Sequence, residues 1–333
     1  MNTNGGAFPM VEIWRGDRVE SRHSGHAVIA NSAGEIVDAW GDAEKVILPR
    51  SSLKMIQALP LVESGTARSL GLSNRHLALA CASHNAAAAH TDLVRTWLAD
   101  LGFGPDDLVC GAQPPADDLA RSALIRSGLM PDRVHNNCSG KHSAFLSLVR
   151  HMKYGPDYAD PDHPIQATIR SVLADLSDDL PMGHAIDGCS APNYALTLCG
   201  FARALARFGS GLHGVRAEAA QELFGAMVEH PDLVAGEGRA CTELMRAMGG
   251  HVAIKTGAEG VFSAILPARG IGIAVKIEDG ATRAAEAAMT ALLVREKALS
   301  ADHTAARRRL GAPIRNWDGL VTGRIDAAPG FPD

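Results

Sequence analysis

The chain has 333 residues, of which 46% are hydrophobic and 21% charged, and it carries a formal net charge of −5. These values suit a globular protein with a large buried core, built as one big domain or two intimate ones. The acidic balance and the low aromatic content of 5% speak against nucleic-acid binding, and no apolar stretch approaches the length needed to cross a bilayer.

The first residues, Met1 to Gly6, show neither a basic n-region nor an apolar h-region, so no secretory signal is expected. Residues 10–40 read as β structure: Val11–Trp14, Ala27–Ala30 and, after the turn Asn31–Glu35, Ile36–Trp40. Residues 51–64 read as a helix. Leu77–Cys81 is a short apolar, strand-like run, and 87–101 has helical periodicity. The polar turn Asn136–His142 leads into a helix from about Ser143 to Met152, and 154–164 form a loop. Helices follow at 165–176, 194–208, 215–230 and 239–248. Strands then recur at Val252–Lys255, Val261–Leu266 and Ile271–Ile277, before a long Ala-rich helix at about 282–299. Arg307-Arg308-Arg309 reads as a solvated helix face.

Strands at both ends around a helical middle predict an α/β (α+β) fold with one antiparallel sheet and a helical lobe. The expected organisation is a single catalytic body, 1–333. Its sheet lobe comes from about 8–50 and 250–300, and its helical lobe from about 51–249. A cleft between the lobes is the natural place for a site.

Four polar clusters fall at element boundaries, where function concentrates. In Arg50-Ser51-Ser52-Leu53-Lys54, Ser51 and Lys54 stand at i and i+3, so on a helix they share a face. A serine needs a base before it can attack, and a neutral lysine can serve as one. An N-cap serine followed by an exposed lysine is the plain alternative. Ser83-His84-Asn85 follows the apolar run. Lys255-Thr256-Gly257 ends a strand, and Gly257 lets the backbone approach a ligand closely. Cys138 with Lys141, together with Cys189, offers ligands for a soft cation such as zinc, or simply small packing residues. Gly236-Glu237-Gly238-Arg239 could cradle a substrate carboxylate or only connect two elements. The six cysteines are scattered and read as thiols, not as a disulfide framework.

In this order the clusters resemble the Rhizobium etli type of L-asparaginase, class 3, the asparaginase II family. The matching stretches are Arg50–Lys54, Cys81–His84, Asn137–His142, Asp187–Cys189, Val234–Arg239, Lys255–Ala258 and Val275–Gly280. The resemblance implies a serine β-lactamase-like fold and hydrolysis of L-asparagine to L-aspartate and ammonia. It implies two Ser-Lys tandems, Ser51 with Lys54 and Ser83 with Lys255, acting through a covalent acyl-enzyme. It implies zinc held by Cys138, Lys141 and Cys189. Arg50 and Asp187 would orient Ser51 and the substrate's α-ammonium group, with His84, Glu237 and Gly257 at the substrate. A cytoplasmic homodimer is expected, with a small-molecule substrate and neither nucleic acid nor membrane as partner. Ser83 is the alternative nucleophile. Lys255-Thr256-Gly257 also occurs in penicillin-recognising serine hydrolases, which makes a β-lactamase or a serine glutaminase the enzymatic rival. The rival from another class is a non-catalytic zinc protein.

Overall fold

The computed structural model describes residues 6–333, so the N-terminal segment read at Met1–Gly6 lies outside the described residues except for Gly6. The strands of the main sheet are β1 (Phe8–Arg15), β2 (Arg18–Asn31), β3 (Ile36–Trp40), β4 (Ala253–Thr256), β5 (Val261–Leu266), β6 (Ile271–Ile277), β7 (Ala312–Arg315) and β8 (Val321–Ala327). They form one eight-stranded sheet in the order β7-β8-β1-β2-β6-β5-β4, with β3 pairing the second half of β2. Every pairing is antiparallel. This is the expected mixed α/β fold, with its sheet drawn from both chain ends. No helix among the described residues is long and apolar enough to cross a membrane.

The main helices are α1 (Asn74–Ala80), α2 (Ala88–Asp100), α3 (Ser139–Met152), α4 (Pro164–Ser177), α5 (Leu198–Ser210), α6 (Gly214–Glu229), α7 (Ala240–Ala247) and α8 (Thr282–Arg295). β5 is buried throughout and β6 nearly so, which requires cover on both faces. α5 packs on β6, β2 and β5, and α8 packs on β5, β6, β1 and β8. Gly272 of β6 makes the first contact possible. A Cβ there would stand 2.4 Å from the backbone of Ala202 and Ala206 in α5, so the helix rides directly on the sheet.

Four sequence expectations change. The strand-like run at Leu77–Cys81 belongs to α1. Its start is set by Ser73, whose N–H donates to His76 Nδ1 at 3.1 Å, and a short apolar run does not by its period distinguish a strand from a buried helix. The single helix expected at 51–64 is a 3₁₀ turn (Arg50–Leu53) and two short α-helical pieces, the second with Pro60 in its first turn. The strands β7 and β8 went unread because few of their residues are fully buried, which leaves little hydrophobic alternation to detect. The arginine run is not a plain solvated face. Arg309 is buried and bonds Glu243 at 2.7 Å, while Arg307 and Arg308 pair with Asp302 and Glu243.

Candidate active site

The turn after Pro49 is held in a strained shape. Arg50 has φ +56, a left-handed conformation that costs a non-glycine residue about 1–3 kcal/mol. The surroundings enforce it. Arg50 N–H donates to Asn193 Oδ1 at 3.1 Å, and its guanidinium reaches Asp187 Oδ1 at 2.8 Å. Ser52 Oγ donates to Pro49 O at 2.6 Å, and Ser263 Oγ of β5 donates to Ser52 O at 3.0 Å. Gly257 closes on the same turn, since a Cβ there would stand 2.7 Å from Pro49 O. Its lack of a side chain therefore lets the end of β4 touch the Ser51 turn. Burial opposes the charge of Asp187, but Arg50 and Lys141 overcome it and hold the carboxyl below its ordinary value.

Ser51 is half-buried and Lys54 is 1% exposed. Among the described residues no hydrogen bond joins them. The reason is local: the 3₁₀ turn ends at Leu53 and the α-helical turn begins at Lys54, so the pair straddles a change of helix type. Lys54 Nζ donates instead to Ala82 O at 2.5 Å, Ser83 Oγ at 3.0 Å and Cys138 Sγ at 3.1 Å. Lys255, at the other side of Ser83, donates to Ser83 Oγ at 2.8 Å and Thr256 O at 2.8 Å. One serine hydroxyl thus sits between two buried amines from different parts of the chain. Burial, and then the charge of Lys54, bring the Lys255 ammonium from 10.5 down to about 7. Ser83 is itself fixed, its N–H donating to Val234 O at 2.9 Å.

Two residues expected at the substrate have their side chains engaged by the protein itself. His84 is buried behind Ser83, with Nε2 2.9 Å from Ser139 Oγ and Nδ1 accepting the Ala86 N–H at 3.1 Å. It stacks on His90 with ring centroids 4.9 Å apart. Burial, and then His90, keep it neutral. Glu237 is exposed and forms a bidentate pair with Arg246, both contacts 2.7 Å.

The third cluster adjoins Lys54. Cys138 stands just before α3, Lys141 in its first turn, and Cys189 in the turn Asp187–Ala191. Lys141 Nζ donates to Cys189 Sγ at 3.1 Å. Cys138 Sγ donates to Asn137 Oδ1 at 3.0 Å. The neighbouring Cys189 sulfur and burial push the Cys138 thiol up to about 12, whereas Cys189 falls to about 4 beside the Cys138 thiol and the Lys141 charge. Burial works against the charge of Lys141, but both sulfurs raise it. A thiolate, a thiol and an amine therefore converge in a buried spot. No group of three His, Cys, Asp or Glu side chains able to hold a metal occurs among the described residues; this cluster has two such ligands and a lysine.

The family model described as L-asparaginase II matches residues 11–327. The chain belongs to the L-asparaginase II family. The chemistry of that family is amide hydrolysis. A search of curated proteins returned no match. Among solved structures, the chain is similar to a β-lactamase from Mycobacterium bovis, at 14% identity and TM-score 0.43 over 83% of this chain and 95% of that one. It is also similar to a protein called Mglu in its native form, at 14% identity and TM-score 0.43 over 87% of this chain and 67% of that one. A penicillin-binding protein homologue from Pyrococcus abyssi, described as octameric, matches at 11% identity and TM-score 0.36 over 89% and 80%.

Sequence reasoning named Ser51, Lys54, Ser83, Lys255, Arg50, Asp187 and Gly257, and the structure brings these around one turn and one strand end. It missed Asn193 and Ser263, which hold the turn through hydrogen bonds and leave no pattern in the sequence, and it gave Val234, whose carbonyl holds Ser83, no role.

Proposed function

We propose that this protein is an L-asparaginase of the Rhizobium etli type, hydrolysing L-asparagine to L-aspartate and ammonia through an aspartyl ester on serine. The observation that carries this reading is Ser83 Oγ held between Lys54 and Lys255, with Lys255 brought down to about 7, in a chain of the L-asparaginase II family. Ser51 lies on the turn beside the strand end that carries Lys255, with no hydrogen bond to be broken before it meets a substrate carbonyl. Lys54 passes a proton through Ser83 to the free amine of Lys255, and in turn takes the Ser51 proton as the hydroxyl attacks the side-chain amide carbon. Ser83, bonded to both lysines, passes a proton between them, so that the leaving nitrogen departs as ammonia. Water then attacks the ester while the same relay runs in reverse. The Arg50–Asp187 pair keeps the strained turn in place.

The bonds of Ser83 to both lysines also support a second reading, in which Ser83 itself attacks. Ammonia release from L-asparagine, with L-glutamine and nitrocefin in parallel, tests the activity. Peptide mapping of the trapped aspartyl ester separates the two serines. Ser51→Ala is expected to lower turnover by at least about a thousandfold with the fold intact. Near-normal ammonia release from that variant, or an ester found on Ser83, transfers the nucleophile's role to Ser83. Nitrocefin hydrolysis without asparagine turnover discards the asparaginase reading for the β-lactamase one.

Cys138, Lys141 and Cys189 are the residues that would hold zinc. The donor set fits: two cysteine sulfurs suit zinc, Cys189 already as a thiolate. When bound, zinc would supply a fixed positive charge next to Lys54. To hold it, Cys138 and Lys141 would each have to give up a proton. By the same family likeness the enzyme works as a cytoplasmic homodimer, which light scattering of the purified protein and cell fractionation test.

A further inference from the structure

The turn between Pro231–Val234 and α7 straddles the site. At one end a Cβ on Gly236 would lie 2.3 Å from the side chain of Asn85, two residues after Ser83. At the other end Cys241 Sγ accepts the Thr256 N–H at 3.3 Å, next to Lys255. Arg239 stands between these two anchor points. Its side chain is half-buried, yet it makes no hydrogen bond or ion pair among the described residues. The nearby carboxylates are already engaged: Glu237 by Arg246, and Glu243 by Arg308 and Arg309. Glu286 lies 3.6 Å from Arg309. The Arg239 charge still reaches inward: it adds to the lowering of Lys255, and it works against the burial that raises Cys241 and Glu286.

A half-buried guanidinium with no direct ion pair among the described residues has given up part of its hydration for only the distant attraction of Glu286. Its planar fork matches a carboxylate, which can accept two N–H bonds at once. Arg50 is not free for this role, because its Nε and one NH₂ already share Asp187 Oδ1 at 3.1 and 2.8 Å.

We infer that Arg239 binds the α-carboxylate of the amino-acid substrate and sets the enzyme's preference for α-amino acids over simple amides. This rests on the asparaginase reading above and adds the group that orients the substrate. Arg239 takes no proton and touches no reacting atom; it is a binding and positioning residue.

The test compares L-asparagine with β-alaninamide, which is asparagine without its α-carboxylate, in the wild type, Arg239→Gln and Arg239→Lys. A lost charge-assisted pair is expected to raise KM for asparagine about 10- to 100-fold in Arg239→Gln while kcat stays within about threefold. The kcat/KM for β-alaninamide should not change, or, where its turnover is too slow to follow, its inhibition constant should not. Arg239→Lys keeps the charge without the fork and should fall between. An unchanged KM in Arg239→Gln overturns the inference, as does an equal loss for both compounds, which would make Arg239 structural. If the wild type releases no ammonia from asparagine, the asparaginase reading falls and this inference with it. Normal wild-type turnover with an unaffected Arg239→Gln removes the inference alone.

Discussion

Two buried lysines on one hydroxyl are a cost to the fold. The ammonium of Lys255 is brought from 10.5 to about 7, first by burial and then by Lys54, so the folded state binds this proton less tightly than the unfolded chain does. The sign follows from linkage. Between pH 7 and 10.5 the unfolded chain carries more protons, so stability rises with pH across that window, and below pH 7 the full penalty is present. Replacing Lys255 by methionine is therefore expected to raise stability below about pH 7 by roughly 1–3 kcal/mol, after the lost bonds to Ser83 and Thr256 are counted. Denaturant melts at pH 6 and pH 10 check this, and a gain that is larger at pH 10 would contradict it. The same variant should release no ammonia. In the wild type, kcat/KM for asparagine should rise with pH through an apparent pKa near 7, as Lys255 loses its proton. These lysines were legible because each stands beside a serine or a turn at an element boundary. Their meeting was not, since the partners of Ser83 lie 29 and 172 residues away in sequence. Arg239 was legible only as part of a glycine-rich turn. That no carboxylate among the described residues pairs with it directly is visible only in three dimensions.

At the scale of elements, close approach decides which glycines matter. Gly272 faces the backbone of α5, and a Cβ there would stand 2.4 Å from both Ala202 O and Ala206 N. Neither atom can yield without shifting the helix off the sheet, so Gly272→Ala should destabilise by about 1–3 kcal/mol through overpacking. Gly225, inside α6, has open space where its Cβ would go. There alanine should stabilise by about 0.5–1 kcal/mol, because only the backbone entropy of glycine is removed. Thermal melts of the two variants should move in opposite directions, and a fall in both would mean that α6 cannot accept the methyl. The sequence carried the strands of the central sheet because β5 and β6 are nearly continuous apolar runs. It carried neither β7 and β8, whose exposed faces dilute the alternation, nor the 3₁₀ turn at Arg50–Leu53. That turn owes its shape to Asn193, Asp187 and Gly257, all distant in the chain. Local propensity could not reveal a conformation imposed by tertiary contacts.

For the whole molecule, the decisive question is whether the Cys138, Lys141 and Cys189 cluster serves the fold or the site. The enzyme and zinc-protein readings diverge here. The core is continuous from β1 through the helices to α8 and is lined by fully buried Leu, Ile, Ala and Phe. A chain of this length buries enough apolar surface to fold without a metal, unlike small domains in which binding energy is folding energy. The cluster instead touches the chemistry, because Cys138 accepts from the same Lys54 Nζ that holds Ser83. If zinc is bound there, the purified protein should carry about one zinc per chain. Chelation should then weaken asparagine binding while leaving the thermal melt within a few degrees of the loaded enzyme. Cys189→Ser removes the thiolate and should lower both zinc content and asparagine affinity, again without unfolding. Metal analysis, calorimetry and ammonia release on one preparation read all three quantities. A chain that unfolds on chelation and releases no ammonia would be held together by its metal, and the lysines around Ser83 would then be without a reaction to serve.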